Sequence, residues 1–118
     1  MKRILAVDDD NDILQLLEMV LKLHSFHVNT ISKWQDIDDS IASFKPDLIL
    51  LDVSLGGADG RDICKKLKKQ EHTRHIPVIL FSANFQSEET IRACDAQAFI
   101  AKPFNLSDLV NTIGEYAA

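Results

Sequence analysis

Several residues able to do chemistry stand where short apolar runs stop. Asp8, Asp9 and Asp10 follow Ile4-Leu5-Ala6-Val7, and Asp52 follows Leu48-Ile49-Leu50-Leu51. Ser82 closes Val78-Ile79-Leu80-Phe81, and Lys102 comes just after Ala98-Phe99-Ile100. Carboxylates gathered at one place repel one another and need a cation to make the cluster tolerable. An all-oxygen donor set favours a hard ion, and Mg²⁺ suits a few carboxylates together with water and phosphate oxygens. Such an ion can neutralise and orient a transferring phosphoryl group. One carboxylate, Asp52, can then attack phosphorus and become an aspartyl phosphate. Lys102 would supply a mobile positive charge for the product, and the Ser82 hydroxyl a hydrogen bond.

Taken singly, each of these residues has an ordinary explanation. An Asp at a strand end often caps the next helix, which is the reading for Asp10; Asp59, before Gly60, reads as a turn or cap residue. Lys102 alone could be a surface lysine and Ser82 a strand-end hydroxyl. A purely structural account expects apolar residues up to the turns, and does not select acids, a hydroxyl and an ammonium at four separate strand ends. Asp8 and Asp9 are therefore read as metal ligands.

The elements that must position these residues alternate strictly. The run Ile4–Val7 is continuous and apolar, as in a strand covered on both faces. Ile13, Leu16, Leu17, Val20 and Leu21 then recur at helical spacing. His27–Ile31 is a weaker strand, and Trp34, Ile37, Ile41 and Phe44 mark a helix that stops before Pro46. Leu48–Leu51 is a second buried strand, followed by a loop containing Gly56, Gly57 and Gly60. A third helix turns Ile63 and Leu67 inward and Lys65, Lys66, Lys68 and Lys69 outward. Val78–Phe81 is the fourth strand. Residues 87–94 form a short polar helix with a thin apolar face. Ala98–Ile100 is the fifth strand, and Leu106, Leu109, Val110 and Ile113 define the last helix. Five strands alternating with five helices imply an α/β fold: a five-stranded parallel sheet, doubly wound, of the flavodoxin-like (βα)5 kind.

Composition bounds the rest. The length fits one domain, residues 1–118, with a core large enough to stand without disulfides. A net charge of -5 argues against direct nucleic-acid binding, and the lysine run reads as the wet face of a helix. Cys64 and Cys94 have neither a metal-ligand spacing nor a disulfide framework. The apolar start is too short for a signal peptide or a membrane span, so a cytoplasmic location is expected.

The chain resembles the response-regulator receiver domain of two-component signalling, from Ile4 to Tyr116. The resemblance is carried by Val7-Asp8-Asp9-Asp10, by Leu51-Asp52-Val53-Ser54-Leu55 with Asp59-Gly60, by Phe81-Ser82-Ala83, and by Ala101-Lys102-Pro103-Phe104. It implies that Asp52 is the phosphoacceptor and that Asp8, Asp9, Asp52 and the backbone carbonyl of Ser54 hold Mg²⁺. It also implies that Lys102 pairs with the phosphate, that Ser82 and Phe99 are the switch residues, and that the peptide before Pro103 is cis. The donor would be a histidine kinase or histidine phosphotransfer protein. Output would pass through the surface of helix four, strand five and helix five to a protein effector. The chain would be a monomer, with dimerisation on phosphorylation left open, and no enzyme beyond its own phosphoryl transfer and dephosphorylation. Gly56 stands where receivers commonly carry Pro, Ala58 is smaller than usual before Asp-Gly, and Phe99 lacks a hydroxyl many members have.

Two other readings compete. A small phosphatase or phosphotransferase with an Asp nucleophile would use Asp8-x-Asp10, but needs a cap that a chain of this length has no room for. A receiver-like domain that is never phosphorylated would have no need of the full set of acids and lysine.

Overall fold

The computed structural model describes residues 1–84 and 86–117. Its strands are the apolar runs: β1 (Arg3–Val7), β2 (His27–Ile31), β3 (Leu48–Asp52), β4 (Val78–Ser82) and β5 (Ala98–Ala101). They form one parallel sheet in the order β2-β1-β3-β4-β5. Side chains alternate between faces along each strand. Leu5, Val7, Ile49, Leu51, Val78 and Leu80 pack on one side; Ile4, Ala6, Leu48, Leu50, Ile79 and Phe81 pack on the other. Because both faces are covered, the strands read as unbroken apolar runs.

The helices divide accordingly. α1 (Asn11–Leu23) and α5 (Leu106–Ala117) cover one face through Leu14, Leu17, Leu21, Leu109, Ile113 and Ala117. α2 (Ile37–Phe44) and α3 (Gly60–Lys69) cover the other through Ile37, Ile41, Cys64 and Leu67. α4 (Glu88–Ala93) is capped by the Ser87 hydroxyl, which accepts from the Thr90 amide, and none of its residues is buried. That agrees with its thin apolar pattern.

The structure corrects several details of the sequence reading. Of the apolar residues that recur at helical spacing in α1, Leu16 is exposed and Ile13 is half-buried. The buried stripe is centred on Leu14, Leu17 and Leu21, and at about 100° per residue Leu16 falls beyond its edge. Leu106 is likewise exposed at the start of α5. Trp34 belongs to a short 3₁₀ turn, Trp34–Asp36, that precedes α2. α2 ends as expected before Pro46, at Lys45 in the left-handed region (φ 53°). Lys68 is not a wholly wet lysine: its ammonium donates to the Ile76 carbonyl at 2.6 Å and the Arg74 carbonyl at 3.3 Å, tying α3 to the approach to β4.

The strand order reverses between β1 and β3, the position at which open parallel sheets bind ligands beyond their carboxyl ends. Gly60 brings α3 close to that point. Its amide donates to the Val53 carbonyl at 2.7 Å, and a Cβ there would overlap the Asp52 carbonyl oxygen while lying 2.9 Å from the carbonyl carbon. Gly114 is the contrasting case, with open space around it in α5. Gly60→Ala is expected to destabilise the chain by about 3 kcal/mol or more through overpacking. Gly114→Ala is expected to stabilise it by about 0.5–1 kcal/mol through helix propensity. Urea unfolding of both variants checks the opposite signs.

Candidate functional site

Asp8 continues β1 by one residue, its amide donating to the Ile31 carbonyl at 3.3 Å. Its side chain has no exposed surface. One carboxylate oxygen accepts from the Asp10 amide at 2.9 Å, and the other accepts from Lys102 Nζ, also at 2.9 Å. Asp52, the last residue of β3, is almost as buried. Its Oδ1 accepts from the Ser54 amide at 3.3 Å, and its Oδ2 lies 3.4 Å from Lys102 Nζ. Asp9 opens to solvent beside them. Carboxylate oxygens of Asp8, Asp9 and Asp52 all lie within 4.8 Å of one another. The three acids chosen from strand ends thus converge.

Lys102 is held in place from several sides. Its amide donates to the Ser82 carbonyl at 2.9 Å, which joins the ends of β4 and β5. Its ammonium stands 4.7 Å from the centre of the Phe81 ring, a cation–π contact. The following Lys102–Pro103 peptide is cis, as the resemblance implies. Three carboxylates against one ammonium leave negative charge in surplus. Burial, the largest influence, pushes the Asp8 carboxyl above its ordinary range; the Asp10 amide and Lys102 pull it back, and Asp52 adds to the push. This donor set, all oxygen, negative in sum and open on the Asp9 side, fits a hard divalent cation.

The loop after Asp52 is a closed turn. Ser54 bridges Asp59, the Leu55 amide donates to the Ala58 carbonyl at 3.2 Å, and Gly56 and Gly57 take φ values of 48° and 94°. Those angles are open to glycine without steric cost. A Cβ on Gly56 would stand 3.5 Å from Asp9 Oδ2, so the loop passes directly over the open side of the acidic cluster. Asp10 and Asp59 are helix caps, as read from sequence: Asp10 accepts from the amides of Asp12 and Ile13, and Asp59 from that of Arg61.

Ser82 ends β4 in a buried position, and its hydroxyl accepts from the Asn84 amide at 3.0 Å. Phe99 lies opposite Leu80 in β5 and is half-buried against the α2–α3 side of the core. Sequence reasoning missed the Phe81 ring under Lys102, because that residue read only as core. It also missed Arg61, whose guanidinium is bidentate on Asp59 and reaches Gln86 Oε1 at 3.3 Å. A glycine at the first position of a helix, as in Asp59-Gly60, was the available signal for close approach to the Asp52 backbone. The cysteines do not join the site. Cys64 donates to the Cys94 carbonyl at 3.2 Å and Cys94 to that of Thr90 at 3.1 Å, and burial pushes the Cys64 thiol up to about 12. Neither is a reactive thiolate at neutral pH.

Known proteins resemble this chain in sequence and in fold. A family model described as the response regulator receiver domain matches residues 4–114. The response regulator ArlR of Staphylococcus aureus (strain Mu50 / ATCC 700699) is 32% identical over 115 residues, which cover 96% of this chain and 51% of that protein. The phosphate regulon transcriptional regulatory protein PhoB of Rhizobium meliloti (strain 1021) is 29% identical over 92% of this chain and 48% of its own length. The chain therefore spans about half the length of these curated relatives. Among solved structures, the signal receiver domain of a DNA-binding response regulator from Colwellia psychrerythraea 34H superposes with a TM-score of 0.90. It is 27% identical, with 98% of this chain and 97% of that one covered. With the sheet order, the acidic cluster and the lysine all in place, the chain belongs to the response-regulator receiver family.

Proposed function

We propose that this receiver takes a phosphoryl group from a histidine kinase or histidine phosphotransfer protein on Asp52 and then changes a surface that a protein effector reads. The observation that carries this reading is the placement of Asp52: buried at a strand end, between two other acids, with Lys102 Nζ 3.4 Å away. Of the two buried acids Asp52 is the more loosely held, with contacts of 3.3 and 3.4 Å against 2.9 Å for both contacts of Asp8, which leaves its oxygens the freer to act as nucleophile. Asp8, Asp9, Asp52 and the Ser54 carbonyl would hold Mg²⁺, which when bound supplies charge neutralisation for a transferring phosphoryl group.

The chain's own residues do the rest. An Asp52 oxygen attacks phosphorus as the bond to the donor nitrogen breaks, and the aspartyl phosphate forms without turnover of a separate substrate. On this reading the domain is no enzyme beyond its own phosphoryl transfer and dephosphorylation. Lys102 moves its charge from Asp8 toward the new phosphate oxygens. The Ser82 hydroxyl turns to donate to one of them. Phe99 then withdraws into space that Ser82 leaves, and the face made by α4, β5 and α5 is reshaped. An open groove of about 490 Å³ already lies there, with Gln86, Ile91, Ala96 and Phe99 in its wall.

A second groove of about 490 Å³ lies beside the site, mostly apolar, with Ile13, Leu16, Lys102, Pro103, Phe104 and Leu106 along it. Lys102 belongs to both groove and site, so a donor helix bearing phosphohistidine and seated there would face Asp52. Among the described residues no helix is long and apolar enough to cross a membrane. A cytoplasmic location, contact with proteins and no direct contact of this domain with nucleic acid complete the proposal.

Incubation with acetyl phosphate and Mg²⁺ is expected to add one phosphoryl group by intact mass, and Asp52→Asn to add none. Persistent single-site labelling of that variant contradicts the assignment. Leu16→Glu is expected to slow transfer from a phosphohistidine protein about tenfold, the effect of placing one charge in an apolar contact, while leaving acetyl phosphate labelling unchanged. The acidic cluster also carries a stability cost. The Asp9 carboxyl is held above its usual value of 3.8, first by partial desolvation and then by contact with Asp8 and its charge. The folded chain therefore binds this proton more tightly than the unfolded chain, and stability falls as pH rises through that window. Without divalent cation, Asp9→Asn is expected to melt higher than the wild type near neutral pH, with the difference vanishing below the carboxylate range. Melting curves across pH check this sign.

A further inference from the structure

The Arg61 guanidinium is the one long-range side-chain link between the loop that follows Asp52 and the loop that follows Ser82 among the described hydrogen bonds. On its own side it closes on Asp59 with both Nε and Nη2, at 3.0 and 2.6 Å, while the Asp59 carboxylate also accepts the Arg61 amide at 2.8 Å. Asp59 in turn bridges Ser54, two residues beyond Asp52. On the far side Arg61 Nη1 donates to Gln86 Oε1 at 3.3 Å, and Gln86 Nε2 donates to the Asn84 carbonyl at 3.5 Å. The Asn84 amide donates to Ser82 Oγ. A continuous path of polar contacts thus runs from the Asp52 loop to the hydroxyl at the end of β4. Arg61 and Asp59 reinforce each other: the carboxyl is pulled down chiefly by its hydrogen bonds to Arg61, and the guanidinium is raised by the same contact.

We infer that the Arg61–Gln86 contact is a latch that holds the β4–α4 loop, and with it Ser82, in the arrangement described above. Arg61 is a positioning residue: it touches neither Asp52 nor the cation site and acts through Gln86 and Asn84. The inference rests on the phosphoacceptor reading of Asp52 and adds a control point to it. For Ser82 to turn toward a phosphoryl group, its hydroxyl must leave the Asn84 amide, and Asn84 and Gln86 must follow. α4, with no buried residue, offers little resistance of its own. Resistance comes from the latch. Because a half-exposed contact of this kind is worth little, its removal should tilt the equilibrium by a small factor and leave the fold intact.

The test is a cycle of variants read by the initial rate of acetyl phosphate labelling with Mg²⁺, with melting curves run in parallel. Gln86→Ala releases the latch and should label about threefold faster, the size expected of one half-exposed hydrogen bond to a charged group. Gln86→Glu gives Arg61 a carboxylate and should label about threefold slower. In an Arg61→Ala background the rates of the Gln, Ala and Glu forms should converge, which separates the latch from a plain effect of added charge. No labelling of the wild-type chain overturns the Asp52 reading and the latch with it. Labelling of the wild type at a rate that neither Gln86 variant alters, or differences that persist undiminished without Arg61, overturn the latch alone.

Discussion

Asp8 and Asp52 place two carboxylates, nearly shut off from water, at neighbouring strand ends, and the geometry around them follows from the need to make that charge tolerable. Lys102 does part of it, reaching Asp8 at 2.9 Å across 94 residues of sequence. A buried pair of this kind contributes little net stability against an apolar alternative, and removing one member leaves a stranded charge. The pairing therefore makes sense as poise. One ammonium shared unequally between two acids, with a third acid open to solvent, can be drawn to whichever side gains negative charge. Phosphoryl transfer to Asp52 would supply that gain.

The fold serves this arrangement through parallel pairing. Parallel strands end on one rim, so β1, β3, β4 and β5 bring Asp8, Asp52, Ser82 and Lys102 together although they are far apart in sequence. Two backbone contacts refine the placement. The Lys102 amide on the Ser82 carbonyl keeps hydroxyl and ammonium on adjoining strand ends, and Gly60 lets α3 press on the backbone of Asp52 and Val53. The same rim is flanked by elements that differ in firmness. α1 and α5 are anchored by buried leucines and isoleucines, whereas α4 has no buried side chain. On the proposed reading, a change at Asp52 would be expressed more readily on the α4 side.

Much of this was legible in the sequence, for physical reasons. Strands buried on both faces show up as apolar runs, and polar residues at their ends stand out against them; Asp8, Asp9, Asp52, Ser82 and Lys102 were found in that way, and all lie at the same rim. Caps such as Asp10 and Asp59 have local signatures and were read correctly. What failed was long-range or rotational. Periodicity marks apolar residues without saying which stripe a helix buries: Leu16 and Leu106 belong to the helical patterns, yet both are exposed. Lys68 bonds carbonyls near the start of β4, and Arg61 meets Gln86 across 25 residues; spacing along the chain carries no trace of either. Phe81 serves the core and the Lys102 ammonium at once, and only the first role has a sequence pattern.

The account stands on Asp52 being the nucleophile among three neighbouring carboxylates. The most direct measurement is chemical trapping: label the chain with acetyl phosphate and Mg²⁺, reduce the acyl phosphate with borohydride, and map the peptides by mass spectrometry. Conversion of Asp52 to homoserine, with Asp8 and Asp9 unchanged, is the predicted result. Homoserine at Asp8 or Asp9, with Asp52 intact, would contradict the central claim.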